Sequence, residues 1–232
     1  MLGDLWSFQG RYRTLHLTWI AFFLTFVVWF NLAPLATTVK ADLGLTVGQI
    51  RTVAICNVAL TIPARVLIGM LLDKFGPRIT YSSILVFSAI PCLLFASAQD
   101  FNQLVVARLL LSIVGAGFVI GIRMVAEWFP PKEIGLAEGI YGGWGNFGSA
   151  FSALSMVALA GFLSFSGGFE LPTGAVLNWR GAIALTGIVS AVYGLFYFFN
   201  VTDTPPARRI SALRKLQVWK SPPCATSGVC WA

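Results

Sequence analysis

Residues 53–72 read VAICNVALTIPARVLIGMLL, and the fold turns on how this stretch is read. About 20 apolar residues suffice to cross the hydrocarbon of a bilayer. Here the run holds two strongly polar side chains, Asn57 and Arg65. A guanidinium in hydrocarbon costs roughly 2.5–3.5 kcal/mol on insertion scales, so it persists only where it faces a cavity or a partner. It stays charged at neutral pH and offers a planar fork of donors that suits planar oxyanions. Arg65 therefore marks an anion site inside a membrane, or else a structural arginine bonding the carbonyls of a neighbouring helix. Asn57, Thr61 and Arg65 recur at i, i+4 and i+8, which predicts one polar stripe leading to the anion. Arg51, close to four turns before Arg65, extends that stripe toward the outer surface.

The composition agrees with a membrane. Of 232 residues 57% are hydrophobic and 11% charged, with mean hydropathy +0.79. Soluble domains carry about 25% charged residues. Apolar segments long enough to cross are read at Leu15–Val39, Val47–Leu72, Ile79–Ala98, Leu104–Trp128, Ile134–Phe165 and Gly181–Val201. The net charge of +7 is not a nucleic-acid patch, because the cations alternate with the segments. Arg11 and Arg13 precede the first, Lys74 and Arg78 separate the second and third, and Lys132 separates the fourth and fifth. Arg208, Arg209, Arg214, Lys215 and Lys220 follow the last, so both termini are expected in the cytoplasm. The first segment is too long for the apolar core of a cleavable signal peptide.

Little redox or metal chemistry is available. His16 is the single histidine, and Cys56, Cys92, Cys224 and Cys230 lack metal-ligand spacing, so no cofactor or metal is expected. That argues against an enzyme such as a membrane oxidoreductase subunit. A non-transporting anion sensor or interaction partner is the other alternative to a transporter. No carboxylate lies deep in a segment, since Glu127, Glu133 and Glu138 fall near the ends of the fourth and fifth.

Local features set further expectations. Pro34 and Pro63 should bend or break their helices. Gly135, Gly139 and Gly143 are four apart and predict a packing seam on the fifth helix. Ser164–Gly174 reads as a mobile external loop. Three parts follow: an N-terminus over 1–14, a transmembrane unit over 15–201, and a basic tail over 202–232, disordered or truncated.

Two motifs remain. Gly69, Asp73, Gly76 and Arg78 form the pattern G-x-x-x-D-x-x-G-x-R. Gly69 would permit close helix contact, Asp73 would pair with a cation on a neighbouring helix end, and Gly76-Pro77 makes the turn. Gly143-Trp144-Gly145-Asn146-Phe147-Gly148 places a single amide inside a glycine-rich helix. An amide buried there needs a polar partner, either an anion or a neighbouring helix.

The first pattern, in its position between helices two and three, resembles the signature loop of the major facilitator superfamily. The glycine-rich run, with Trp128-Phe129-Pro130-Pro131-Lys132 upstream, resembles the signature of its nitrate/nitrite porter family, most nearly the cyanobacterial nitrate permeases. Arg108, followed by Gly115 and Gly117, resembles a looser family feature. The resemblance covers about residues 5–206 and implies an all-α membrane protein: six transmembrane helices forming the N-terminal half of a major facilitator fold. It implies alternating-access transport of nitrate, and of nitrite, across the inner membrane. Arg65 then falls on the substrate arginine, Asn146 on the signature asparagine and Phe118 on an aromatic packed near the anion. Gly143, Gly145 and Gly148 become signature and packing positions, and Gly69, Asp73, Gly76 and Arg78 a conformational latch. Arg123 is expected to pair with Glu127, one turn on. The family has two six-helix halves with the site between them, so a second substrate arginine is expected outside this sequence. The implied partners are the lipid bilayer and a C-terminal half. A second copy is the alternative, but it would place two Arg65 side chains in one cavity.

Overall fold

The computed structural model describes residues 7–171, 174 and 176–204. Most of the expected tail, including Cys224 and Cys230, lies outside the described residues. Helix α1 (Gly10–Phe30) opens the first crossing. It breaks at Asn31, passes through a 3₁₀ turn at Ala33–Leu35 that contains Pro34, and resumes as α2 (Ala36–Asp42). The helix begins five residues before the apolar run, because Tyr12 and Thr14 are already buried against the bundle.

Helices α3 (Val47–Ala59), α4 (Thr61–Phe87) and α5 (Ala89–Ser97) form one apolar run of 51 residues, Val47–Ser97. At 1.5 Å per residue this is more than twice the bilayer core. The run is two crossings. Its helical conformation fails at Gly76, which has φ 81°. A Cβ on Gly115 would stand 3.2 Å from the Thr61 hydroxyl, and one on Gly117 would stand 3.4 Å from the Tyr81 ring. A straight helix would separate Thr61 from Tyr81 by about 30 Å. Both reach residues of the fourth crossing only two apart in sequence, so the chain doubles back at Gly76-Pro77, as the turn motif predicts.

The fourth crossing is α6 (Phe101–Ser112), a 3₁₀ turn at Ile113–Ala116, and α7 (Gly117–Trp128). The fifth is α8 (Pro131–Phe162), and the sixth is α9 (Trp179–Asn200). Between them the connecting segment is a 3₁₀ turn at Leu163–Ser166 followed by a hairpin. Strand β1 (Phe169–Glu170) pairs antiparallel with β2 (Val176–Leu177), Phe169 opposite Leu177. This small ladder is the one departure from an all-α fold among the described residues.

Arg11 and Arg13 lie together at one end of the bundle. Arg11 pairs with Glu133 at 2.7 Å, Arg13 donates to the Asn200 side chain at 2.7 Å, and the Trp128 indole donates to the Thr202 carbonyl at 3.2 Å. The first and sixth crossings thus share an end, as an even number of crossings requires.

The breaks near Pro34 and Pro63 occur as expected, since proline removes a helical donor. The packing seam of α8 does not fall where the four-residue spacing placed it. Among the described residues nothing lies within 4 Å of a Cβ built on Gly135, Gly139 or Gly143. The close approach is made by Gly145, whose Cβ would overlap the buried Phe22 ring, and by Gly148, whose Cβ would overlap the Phe23 carbonyl. These positions let α8 lie directly on α1, while Gly135, Gly139 and Gly143 line an open groove with Trp144 and Phe147.

Candidate functional site

The second and fourth crossings run in the same direction and are tied at mid-depth. Pro63 has no N–H for the Ala59 carbonyl, and the helix breaks at Leu60 (φ −91°, ψ 0°). Ser112 closes the break from the fourth crossing. Its hydroxyl accepts from the Leu60 amide at 3.3 Å, and its carbonyl accepts from the Thr61 hydroxyl at 2.9 Å. Arg65, four residues on, stands about 6 Å further along than Thr61. Phe118 stands six residues beyond Ser112, about 9 Å along. The two therefore lie within one helical turn of each other in depth.

Arg65 is exposed and makes no hydrogen bond or ion pair among the described residues. The reading of Arg65 as a structural arginine bonded to a neighbouring helix finds no support in these contacts. Phe118 is half-buried, with its ring centroid 5.3 Å from Phe22 and 6.1 Å from Tyr141, stacked on the latter at 17°. The Tyr141 hydroxyl donates to the Phe118 carbonyl at 3.1 Å. Tyr141 also packs on Gly121, so α7 and α8 are fastened at this depth. Five residues past Tyr141 on α8, Asn146 is exposed, and its amide nitrogen donates to the Gly142 carbonyl at 2.7 Å. Its side-chain oxygen faces no hydrogen-bond donor among the described residues. Arg65, Phe118 and Asn146 thus share the middle of the bundle on three crossings.

The polar stripe is not continuous. Asn57 donates to the Trp29 carbonyl at 2.9 Å, while the Trp29 indole donates to the Asn57 carbonyl at 2.8 Å. Thr61 is spent on Ser112. Both hold helices together rather than line a path. The break at Leu60 separates Asn57 from Thr61 and Arg65 and changes the register between them; beyond it Thr61 is buried against Ser112 and Arg65 is exposed.

The latch residues divide. Gly76 takes its positive φ against Asp203, whose carboxylate oxygen would stand 2.9 Å from a Cβ there. Asp203 accepts from the Arg78 amide at 2.7 Å, and Arg78 Nε donates to the Phe198 carbonyl at 2.7 Å with its guanidinium 4.2 Å over the Phe198 ring. Asp73 is 75% exposed and faces Arg123 at 3.7 Å, and Arg123 also bonds Glu127 at 3.0 Å, as expected. A Cβ built on Gly69 meets nothing within 4 Å among the described residues, so Gly69 is no close-contact position there. Asp203, unremarked in the sequence, anchors this loop to the sixth crossing.

Arg108 is the arginine that sequence reasoning underweighted. It is fully buried. Its guanidinium donates to Asn31 at 2.8 Å and Asn57 at 3.2 Å and lies 4.3 Å over the Phe95 ring. It could have been found by the argument applied to Arg65, a lone charge in an apolar run.

Comparison with known proteins fits this architecture. A family model described as the Major Facilitator Superfamily matches residues 18–232. The chain is 62% identical over 222 residues to the nitrate/nitrite transporter NrtP of Picosynechococcus sp., covering 90% of this chain and 42% of that protein. It is 61% identical to NrtP of Nostoc punctiforme, covering 88% of this chain and 40% of that one. The chain therefore spans about two fifths of the length of these curated relatives. A crystal structure of a bacterial homolog to the human lysosomal transporter Spinster, inward-facing and unoccupied, superposes with a TM-score of 0.69 at 20% identity. That match covers 90% of this chain and 49% of that one, so it speaks to the fold, and the described crossings correspond to about half of it.

Proposed function

This chain belongs to the major facilitator superfamily, and from that premise we propose that it forms the first half of a permease for nitrate, and for nitrite, in a bacterial inner membrane. The observation that carries the proposal is Arg65: a guanidinium at mid-depth, exposed on the bundle and without a protein partner among the described residues. The likeness to cyanobacterial nitrate/nitrite transporters supports the choice of anion. A planar oxyanion would take two parallel donors from the fork. Asn146 would turn its amide from Gly142 to add a donor, and the Phe118 ring would pack on the face of the anion. A second six-crossing half would close the site from the other side and supply a second arginine.

Bare Arg65 opposes closure, because closing would desolvate an unpaired charge, whereas the anion neutralises it and permits the rocking step. Asp73 serves as the exposed half of the latch, with Asp203 holding its base. The basic loops and both termini face the cytoplasm.

The test is uptake of isotope-labelled nitrate in cells lacking their own, with this chain expressed together with the second half of the Picosynechococcus relative. Saturable uptake competed by nitrite and abolished by Arg65→Lys is expected, since an ammonium loses the fork. Undiminished uptake by Arg65→Lys would remove Arg65 from the site.

A further inference from the structure

The crossings that carry Arg108 and its two amide partners each break in their middle part. The first breaks at Asn31, the second at Leu60, and the fourth in the 3₁₀ turn Ile113–Ala116. The third is interrupted at Ser88, between α4 and α5. Helices α8 and α9 run through without interruption. Arg108 sits a turn before the break in its own crossing and reaches three of the other broken crossings. One end of the fork holds Asn31 of the first, the other holds Asn57 of the second, and the plane lies on Phe95 of the third. Asn31 passes the link on to Thr186 of the sixth crossing at 3.1 Å. Ser112, four residues after Arg108 on the same face of α6, takes the Leu60 amide. Among the described residues no carboxylate faces the guanidinium, and its Nε has no partner. A buried charge held without a counter-ion costs stability, and two neutral amides on two helices recover only part of it.

We propose that Arg108 is the positioning residue of the anion site: by gripping Asn31 and Asn57 it fixes the angle at which the second crossing breaks, and so sets where Arg65 stands. This rests on the anion site proposed at Arg65. Pro63 makes the break unavoidable but leaves its direction free. The direction comes from Arg108 on the outer side, through Asn57, and from Ser112 at the break itself. Arg65 lies one turn past that break on a helix that the anchors at Ser112 and Gly76 orient.

The test uses the chain with its four cysteines replaced by alanine and spin labels at Ile55→Cys and Met70→Cys, two exposed positions on either side of the break. Arg108→Ala is expected to shift and broaden the label distance, Asn57→Ala to do the same, and the double variant to do no more. Arg108→Lys, which keeps the charge but cannot fork to two amides, should recover part of the native distribution. In the uptake assay, with the second half present, nitrate KM should rise roughly tenfold, the loss of about one hydrogen bond to a charged group, with the maximal rate within about twofold. A residue important only for folding would lower the maximal rate and the yield and leave KM unchanged. If Arg108→Ala does not accumulate, Asn57→Ala carries both readouts. An unaltered label distance overturns the proposal, and so does an altered distance with unchanged KM. Absence of uptake by the unsubstituted protein would instead strike the proposed function, because the label distances need no nitrate.

Discussion

Replacing Gly145 with alanine separates the packing role of the glycine-rich run from any role in binding. The Cβ at 145 would overlap the Phe22 ring, which is fully buried. That ring cannot move alone, since Phe26, Tyr141 and Phe118 surround it with centroids at 4.5, 4.9 and 5.3 Å. Overpacking a well-filled core costs about 1–3 kcal/mol. The substitution regains about 0.8–1 kcal/mol of helix propensity. With Phe22 hemmed in, the upper end of the overpacking range applies, leaving a net loss of about 2 kcal/mol. That is a factor of roughly thirty in the folded-to-unfolded ratio. At Gly143 a Cβ meets nothing within 4 Å among the described residues, so Gly143→Ala gains only the propensity term. Thermal unfolding in detergent, followed by tryptophan fluorescence, should place Gly145→Ala below the unsubstituted protein by roughly 4–8 °C and Gly143→Ala at or above it. Equal stability of Gly145→Ala and Gly143→Ala would refute the assignment of Gly145 to the α1–α8 contact.

Gly76→Ala combines a left-handed φ with a clash against Asp203 and should cost at least about 1–2 kcal/mol in the same unfolding assay. Asp203→Ala removes the acceptor for the Arg78 amide, which ordinarily costs about 0.5–2 kcal/mol at a helix start, and the two changes together should cost less than their sum. Asp73→Asn should leave stability within about 1 kcal/mol, because its contact with Arg123 is long and solvent-exposed, while labelled-nitrate uptake falls if Asp73 latches the second half. Full uptake by Asp73→Asn would limit the latch to Gly76, Arg78 and Asp203.

The crossings were legible in the sequence because the bilayer imposes their length, and the turn at Gly76-Pro77 because few residue types can make it. The breaks near Pro34 and Pro63 follow from a missing donor and were equally legible. Which face of a helix is covered was not. Gly135, Gly139 and Gly143 satisfy a four-residue spacing, but the covered stripe of α8 is set by where Phe22 and Phe23 of another helix stand. The stripe from Asn57 to Arg65 assumed an unbroken helix, and the break at Leu60 that Pro63 foretells also undoes that register. Arg65 and Arg108 look alike from the sequence, each a lone cation in an apolar run. They differ because Asn31 and Asn57, 77 and 51 residues from Arg108 along the chain, converge on one and not on the other.

Equilibrium binding of labelled nitrate to the two assembled halves in detergent asks whether the exposed Arg65 fork holds a planar anion. One saturable nitrate site, not displaced by chloride, is expected, with an affinity that falls at least about tenfold in Arg65→Lys, a change worth about 1.4 kcal/mol. Nitrate bound equally well by Arg65→Lys would contradict binding at that fork.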